Sequence, residues 1–206
     1  MTTIRNARPV LLIPLEENVT ADTERPLRAD AARNRARVLE VAYDTFAAEG
    51  LSVPIDEIAR RAGVGAGTVY RHFPTKEDLF RAVVEDRIRG IIGEGRRLLT
   101  AAGPADGLFE FLRSMTLTWG ATDRGLSEAL AGVGIDVGKA MPEAEGEFFA
   151  MLGDLLRAAQ DAGVVRRDVA VADVKAILVG LQAMQSYNDD AAKRLTEVVL
   201  DGLRPR

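Results

Sequence analysis

The chain has 206 residues, 47% of them hydrophobic and 28% charged, with no cysteine and a single histidine, His72. The length suits one large domain or a small domain joined to a larger one, and the missing thiols exclude disulfide frameworks, thiolate zinc sites and cysteine nucleophiles. The net charge of −4 argues against a nucleic-acid partner only until it is divided: residues 25–81 hold 10 basic and 8 acidic residues, net +2, whereas 82–206 hold 15 and 19, net −4.

Residues 1–28 mix Pro, Thr, Asn and charges without a helical or strand period, which predicts a flexible arm. Its apolar run at 10–15 is too short for a signal peptide, and the longest stretch free of charge, 176–188, falls short of the ~20 apolar residues of a membrane-spanning helix. No membrane partner is expected, and the protein reads as cytoplasmic. At the end of the arm Arg25, Arg28, Arg33, Arg35 and Arg37 crowd together, opposed only by Asp30. Such a run is either a solvated helix end or a surface that faces phosphates.

From there the pattern is helical. Over 31–49, Val38, Leu39, Ala42, Tyr43 and Phe46 recur at three- and four-residue spacing, and Gly50 closes the helix. Over 54–63, Ile55, Ile58, Ala59 and Ala62 form a buried face, Asp56 and Glu57 oppose the dipole, and Ser52 is the expected cap. Gly63 to Gly67 turn the chain into a short helix over 68–73. Pro74 stops it, and Thr75 caps a long helix over 76–99. Further helices are predicted over 105–122, 124–133, 142–162, 171–187 and 189–203, with no competing strand pattern.

A ten-residue helix, a glycine-containing turn and a second short helix have the spacing of the helix-turn-helix unit, whose second helix enters the DNA major groove. Ordinary helical hairpins share the shape, so the exposed residues decide. Thr68, Tyr70, Arg71 and His72 all carry hydrogen-bond donors for phosphates or base edges. Val69 and Phe73, four apart, point back to the core, and Gly65, Ala66 and Gly67 permit close backbone approach. A lone His beside Arg and Phe suits phosphate contact or a cap better than catalysis, which would want a nucleophile and an orienting acid nearby.

The stretch TVYRHFPTKEDLF from Thr68 to Phe80, with IDEIARRAGVGAG before it, resembles the TetR family of bacterial transcriptional repressors, over about residues 34–80. The resemblance implies an all-α protein: an N-terminal three-helix helix-turn-helix DNA-binding domain, 29–75, followed by an all-helical ligand-binding and dimerisation domain, 76–206. It implies a homodimer on a double-stranded operator, released by a small-molecule inducer, with no catalytic residue, metal or cofactor. DNA contacts are expected from Gly65, Ala66, Gly67, Thr68, Tyr70, Arg71, His72 and Lys76, and from Arg33 at the start of the first helix. Ile55 and Asp56 stand where several family members carry a polar or basic contact residue.

Two rival classes, a helical hydrolase or transferase and a protein-interaction module, find less support in the residues. The run 132–140, Gly-Val-Gly-Ile-Asp-Val-Gly-Lys-Ala, looks like a phosphate loop but has Val133 where that motif has Gly and Ala140 where it has Ser or Thr. In the larger domain the flexible and aromatic apolar residues Phe111, Met115, Trp119, Phe148, Met151 and Met184 are either core or the lining of an inducer cavity for an apolar or amphipathic molecule. The stripe Val174, Ile177, Leu178 and Leu181, continued by Leu195, Val198 and Val199, either packs on its own chain or forms the four-helix seam of the dimer that the resemblance implies.

Overall fold

The computed structural model describes residues 20–119 and 141–205, with side chains described for 30–117 and 141–205. The predicted helix over 124–133, the loop 132–140 and the arm residues 1–19 lie outside the described residues. All regular structure within them is helical: α1 (Thr20–Glu49), α2 (Ile55–Ala62), α3 (Ala66–His72), α4 (Lys76–Ala101), α5 (Gly103–Ser114) running into a π-helical turn (Met115–Trp119), α6 (Pro142–Asp161), α7 (Val171–Tyr187) and α8 (Asp189–Gly202).

The first helix begins at Thr20, so residues 20–28 are helical backbone where the composition predicts an arm. The segment TADTERPLRAD has no repeating apolar positions, so the sequence there offers no helical period to detect. Where burial starts, the pattern holds: Val38, Leu39, Ala42 and Phe46 are all buried. Gly50, at φ +73°, ends α1 and returns its N–H to the Phe46 carbonyl at 3.0 Å.

At α2 the expected cap is corrected. Pro54 occupies the N-cap position with no side-chain hydrogen bond, and Ser52 stands two residues too early to reach the first free N–H groups. The buried face is as predicted: Ile55, Ile58, Ala59 and Ala62. Gly63 closes α2 in the left-handed conformation, φ +67°. For α4 the predicted cap is present as a full capping box: the Thr75 hydroxyl accepts from the Asp78 N–H at 3.1 Å, and the Asp78 carboxylate accepts from the Thr75 N–H at 3.1 Å.

Two hydrophobic cores result. The first unites Val38, Leu39, Phe46, Ile58, Val69, Phe73, Leu79 and Phe80, with the Phe46 and Phe80 rings edge to face at 5.7 Å. The second gathers Ile92, Leu98, Phe109, Phe111, Met151, Leu155 and Leu178. The division runs inside α4, which gives Leu79, Phe80, Val83 and Val84 to the first core and Ile92 and Leu98 to the second, while Ile88 packs against both. Met141, just ahead of α6, returns to the first core. Gly95 of α4 lies so close to Met151 that an added Cβ would meet its sulfur at 2.2 Å, which is how α6 reaches its seat against α4.

Candidate nucleic-acid interface

The seven residues of α3 divide cleanly by burial. Val69 is fully buried and Phe73, its C-cap, is 3% exposed, so this helix, too short to persist alone, is pinned by two buried side chains and packs against α2 and α1. Gly65, Gly67, Tyr70, Arg71 and His72 are exposed, and Ala66 and Thr68 are half-buried. Tyr70 leaves 43% of its surface in solvent. The structure therefore brings together the α3 residues that the sequence nominates.

The surrounding cations behave differently from one another. Arg60 and Arg61 are spent within the protein: both donate to Glu57 at 2.7 Å, and Arg61 also reaches Glu49 at the end of α1. These hydrogen bonds hold the Glu57 carboxyl down at about 2 and keep Glu49 below its ordinary range. The network braces α1 against α2. Arg33 pairs with Asp30 one turn earlier on α1, at the exposed surface. Lys76, half-buried, gives its ammonium to the carbonyls of Leu51 at 2.9 Å and Ser52 at 3.2 Å. Arg71 has no ion pair or hydrogen bond from its side chain among the described residues, so its five donors stay available.

Arg35 belongs to the basic run of α1. Its guanidinium lies 5.6 Å above the Phe73 ring, which places a cation from α1 beside the end of α3. The signal that would have found it is tertiary, since 38 residues separate Arg35 from Phe73.

The nominated ligand residues are mostly core. Phe111, Met115 and Met151 are 0%, 3% and 2% exposed, Phe148 and Met184 are half-buried, and the Trp119 side chain lies outside the described set. Lys175 holds its ammonium 4.7 Å from the centre of the Phe148 ring. A cleft of about 390 Å³ opens between α4 and the start of α6, lined by Arg81, Glu85, Ile88, Arg89, Met141 and Glu147.

The expected dimer stripe divides by burial within the single chain. Val174, Leu178 and Leu181 are 0%, 5% and 1% exposed; Val174 and Leu178 belong to the second core, and α7 packs against α8, α6 and the π-helical turn. Ile177, Leu195 and Val199 are half-buried. The outward face of α7 carries Ala176, Val179, Gly180, Ala183 and Tyr187 at helical spacing, and on α8 Val198 is 62% exposed.

Comparison with known proteins places the chain in a family. The family model described as "Bacterial regulatory proteins, tetR family" matches residues 38–83, and the one described as "Transcriptional regulator SbtR-like, C-terminal domain" matches 103–205, half of the chain. The chain belongs to the TetR family of transcriptional regulators. Among solved structures it is 60% identical to the TetR transcription regulatory protein of Mycobacterium vanbaalenii, covering 87% of this chain and 100% of that one with a TM-score of 0.74. It is 34% identical to the TetR regulator SCO0520 of Streptomyces coelicolor, covering 83% and 98% with a TM-score of 0.68. The HTH-type transcriptional regulator SAB2452 of Staphylococcus aureus is 36% identical over 73 residues, 35% of this chain and 40% of that protein. The likeness to such curated relatives thus spans well under half of their length.

As a TetR-family regulator the protein binds DNA, and its relatives are regulators, not enzymes. Among the described residues no helix is long and apolar enough to cross a membrane, and no cluster of three or more acidic or histidine side chains has the arrangement of a metal site.

Proposed function

We propose that the protein works in the cytoplasm as a homodimeric repressor whose two α3 helices occupy successive major grooves of a palindromic operator, and which leaves the DNA when a small molecule binds the larger domain. The observation that carries the reading is the exposed face of α3: Tyr70, Arg71 and His72 in solvent beside Gly65 and Gly67, with Arg33 and Arg35 on the neighbouring α1. Base-edge contact falls to Arg71, whose planar fork matches guanine. Phosphate contact falls to Tyr70, His72, Thr68 and Arg33, and Gly65, Ala66 and Gly67 allow the backbone to come close. Arg33 would exchange its exposed Asp30 partner for phosphate, a change of small cost in solvent.

Dimerisation is assigned to the outward face of α7 and α8, where Val179, Ala183, Tyr187 and Val198 leave apolar surface uncovered and Gly180 permits close helix approach. Two recognition helices must then sit about 34–36 Å apart, and an inducer that alters the separation by a few ångströms releases the operator. Selection of duplexes from a random pool, followed by footprinting, tests the reading. A palindrome with half-sites about one helical turn apart is expected, bound with steep salt dependence. Recovery of no enriched sequence would remove the operator-reading role.

A further inference from the structure

We propose that Lys76 is a positioning residue of the reading unit, a clamp that makes the turn before α2 and the start of α4 one body, and not a ligand of the DNA backbone. The inference deepens the operator-reading function and rests on it. It departs from what the family resemblance suggests for this lysine.

Three observations carry it. The Lys76 ammonium donates to the Leu51 carbonyl at 2.9 Å and to the Ser52 carbonyl at 3.2 Å, bonds that span 25 and 24 residues of sequence. An ammonium has three donors, and two are already committed to backbone carbonyls of the protein itself. The second observation is what those carbonyls belong to. They form the turn that sets the start of α2, and α2 has no side-chain cap of its own: Pro54 stands at the N-cap without a hydroxyl or carboxylate. Gly50, in a left-handed conformation at the head of the turn, leaves the backbone there little intrinsic preference for one path. The third observation is the rigidity of the other partner. Lys76 is the first residue of α4, fixed by the Thr75–Asp78 capping box and by Leu79 and Phe80 in the first core.

The clamp therefore links a stiff helix, which continues into the second core through Ile92 and Leu98, to the most weakly specified turn of the helix-turn-helix unit. When α4 shifts, the carbonyls of Leu51 and Ser52 move with it and carry α2 and α3 along. Without the clamp, α3 is still held by Val69 and Phe73, but the start of α2 loses its charged anchor. Operator contact then has to order that turn as well, and affinity falls by that cost.

The test uses the full chain and a duplex that the parent selects from a random pool. Lys76→Met keeps the aliphatic stem and removes the donors. In protein that circular dichroism shows to be fully folded, affinity is expected to fall about tenfold, with the plot of log affinity against log salt displaced but parallel to the parent's. A drop of about one in that slope would mark a lost phosphate contact and overturn the proposal, as would unchanged affinity. Should Lys76→Met fail to fold, acetylation of the parent in the absence of DNA decides the matter. A clamped Lys76 reacts several-fold more slowly than the exposed Lys193, with or without duplex, whereas equal rates in the free protein and protection of Lys76 by duplex alone would overturn the clamp. The acetylation arm needs no operator, so a parent that selects no duplex would refute the operator-reading role while the clamp is still measured.

Discussion

The two halves of the molecule place their functional surfaces by different means. In the reading unit, the exposed face of α3 comes from consecutive residues between Gly65 and His72, and its orientation is set by devices a few residues away: the left-handed Gly63, the buried pair Val69 and Phe73, and the Thr75–Asp78 box. In the larger domain the defining contacts join distant segments. Arg113 of α5 makes a two-pronged bond to Glu197 of α8, 84 residues on, Arg204 lies over Phe109, and Met151 fills the space beside Gly95. A surface built from one short stretch inherits its geometry from local backbone rules. A surface built from several helices is whatever face their mutual packing leaves outside, and for α7, apolar on more than one side, the packing decides.

The sharpest way to break this contrast is to place a charge on each face of α7. Leu181→Asp buries a carboxylate among Val174, Leu178 and their neighbours, and the lost packing with the unpaired charge should cost about 4 kcal/mol or more. The expected outcome is a protein that melts far below the parent or does not fold. Val179→Asp, on a residue 55% exposed, should leave the melting temperature near the parent's and yield monomers in sedimentation at micromolar concentration. A stable monomeric Leu181→Asp would show that α7 presents the other face to a partner, and the register derived from burial would be wrong.

A smaller effect sharpens the other side of the comparison. Arg71 has its donors free, so Arg71→Ala should cost about 1–3 kcal/mol and change the base preferred at one position of the selected site. Tyr70→Ala should weaken binding to all sequences alike, as loss of a phosphate contact does. Site selection with parent and both variants checks the pair. An unchanged preference in Arg71→Ala would move base reading to other residues of α3, with Thr68 next in line.

Most of the helices were legible because each buries one stripe. The 3.6-residue period located α4, α6, α7 and α8 to within about two residues at each end, and the caps at Gly50, Gly63 and Thr75 followed from residue type alone. The start of α1 was not legible, since TADTERPLRAD has no apolar residues at helical spacing. The α2 cap was misplaced on Ser52 because a hydroxyl before a proline looks like a cap, while the structure begins the helix one residue after that proline. In the candidate site, the α3 residues were readable from donor chemistry and spacing. The role of Arg35, the engagement of Lys76 with a backbone turn, and the inward face of Val174, Leu178 and Leu181 were not, because each depends on which element lies opposite and no local pattern encodes that.

The smallest expected effect concerns the brace between α1 and α2. Glu57 accepts from both Arg60 and Arg61, which holds its carboxyl at about 2, below its ordinary 4.5. A carboxylate whose pKa is depressed by folding contributes stability that is fully present above the unfolded value and is lost as pH falls through the folded one. The contribution of Glu57 should therefore be constant above about pH 5 and fade between 4.5 and about 2, the window set by the two values. The group is partly exposed, so salt screens it and the effect on melting temperature stays small. Glu57→Gln keeps the shape and one acceptor oxygen but removes the charge. Parent and variant melting temperatures, measured at low ionic strength, should differ most near neutral pH and converge as the acid limb is descended. A constant offset down to pH 2 would mean that Glu57 braces the unit through shape and neutral hydrogen bonding alone, and the local rules that position the reading helix would then owe nothing to this charge.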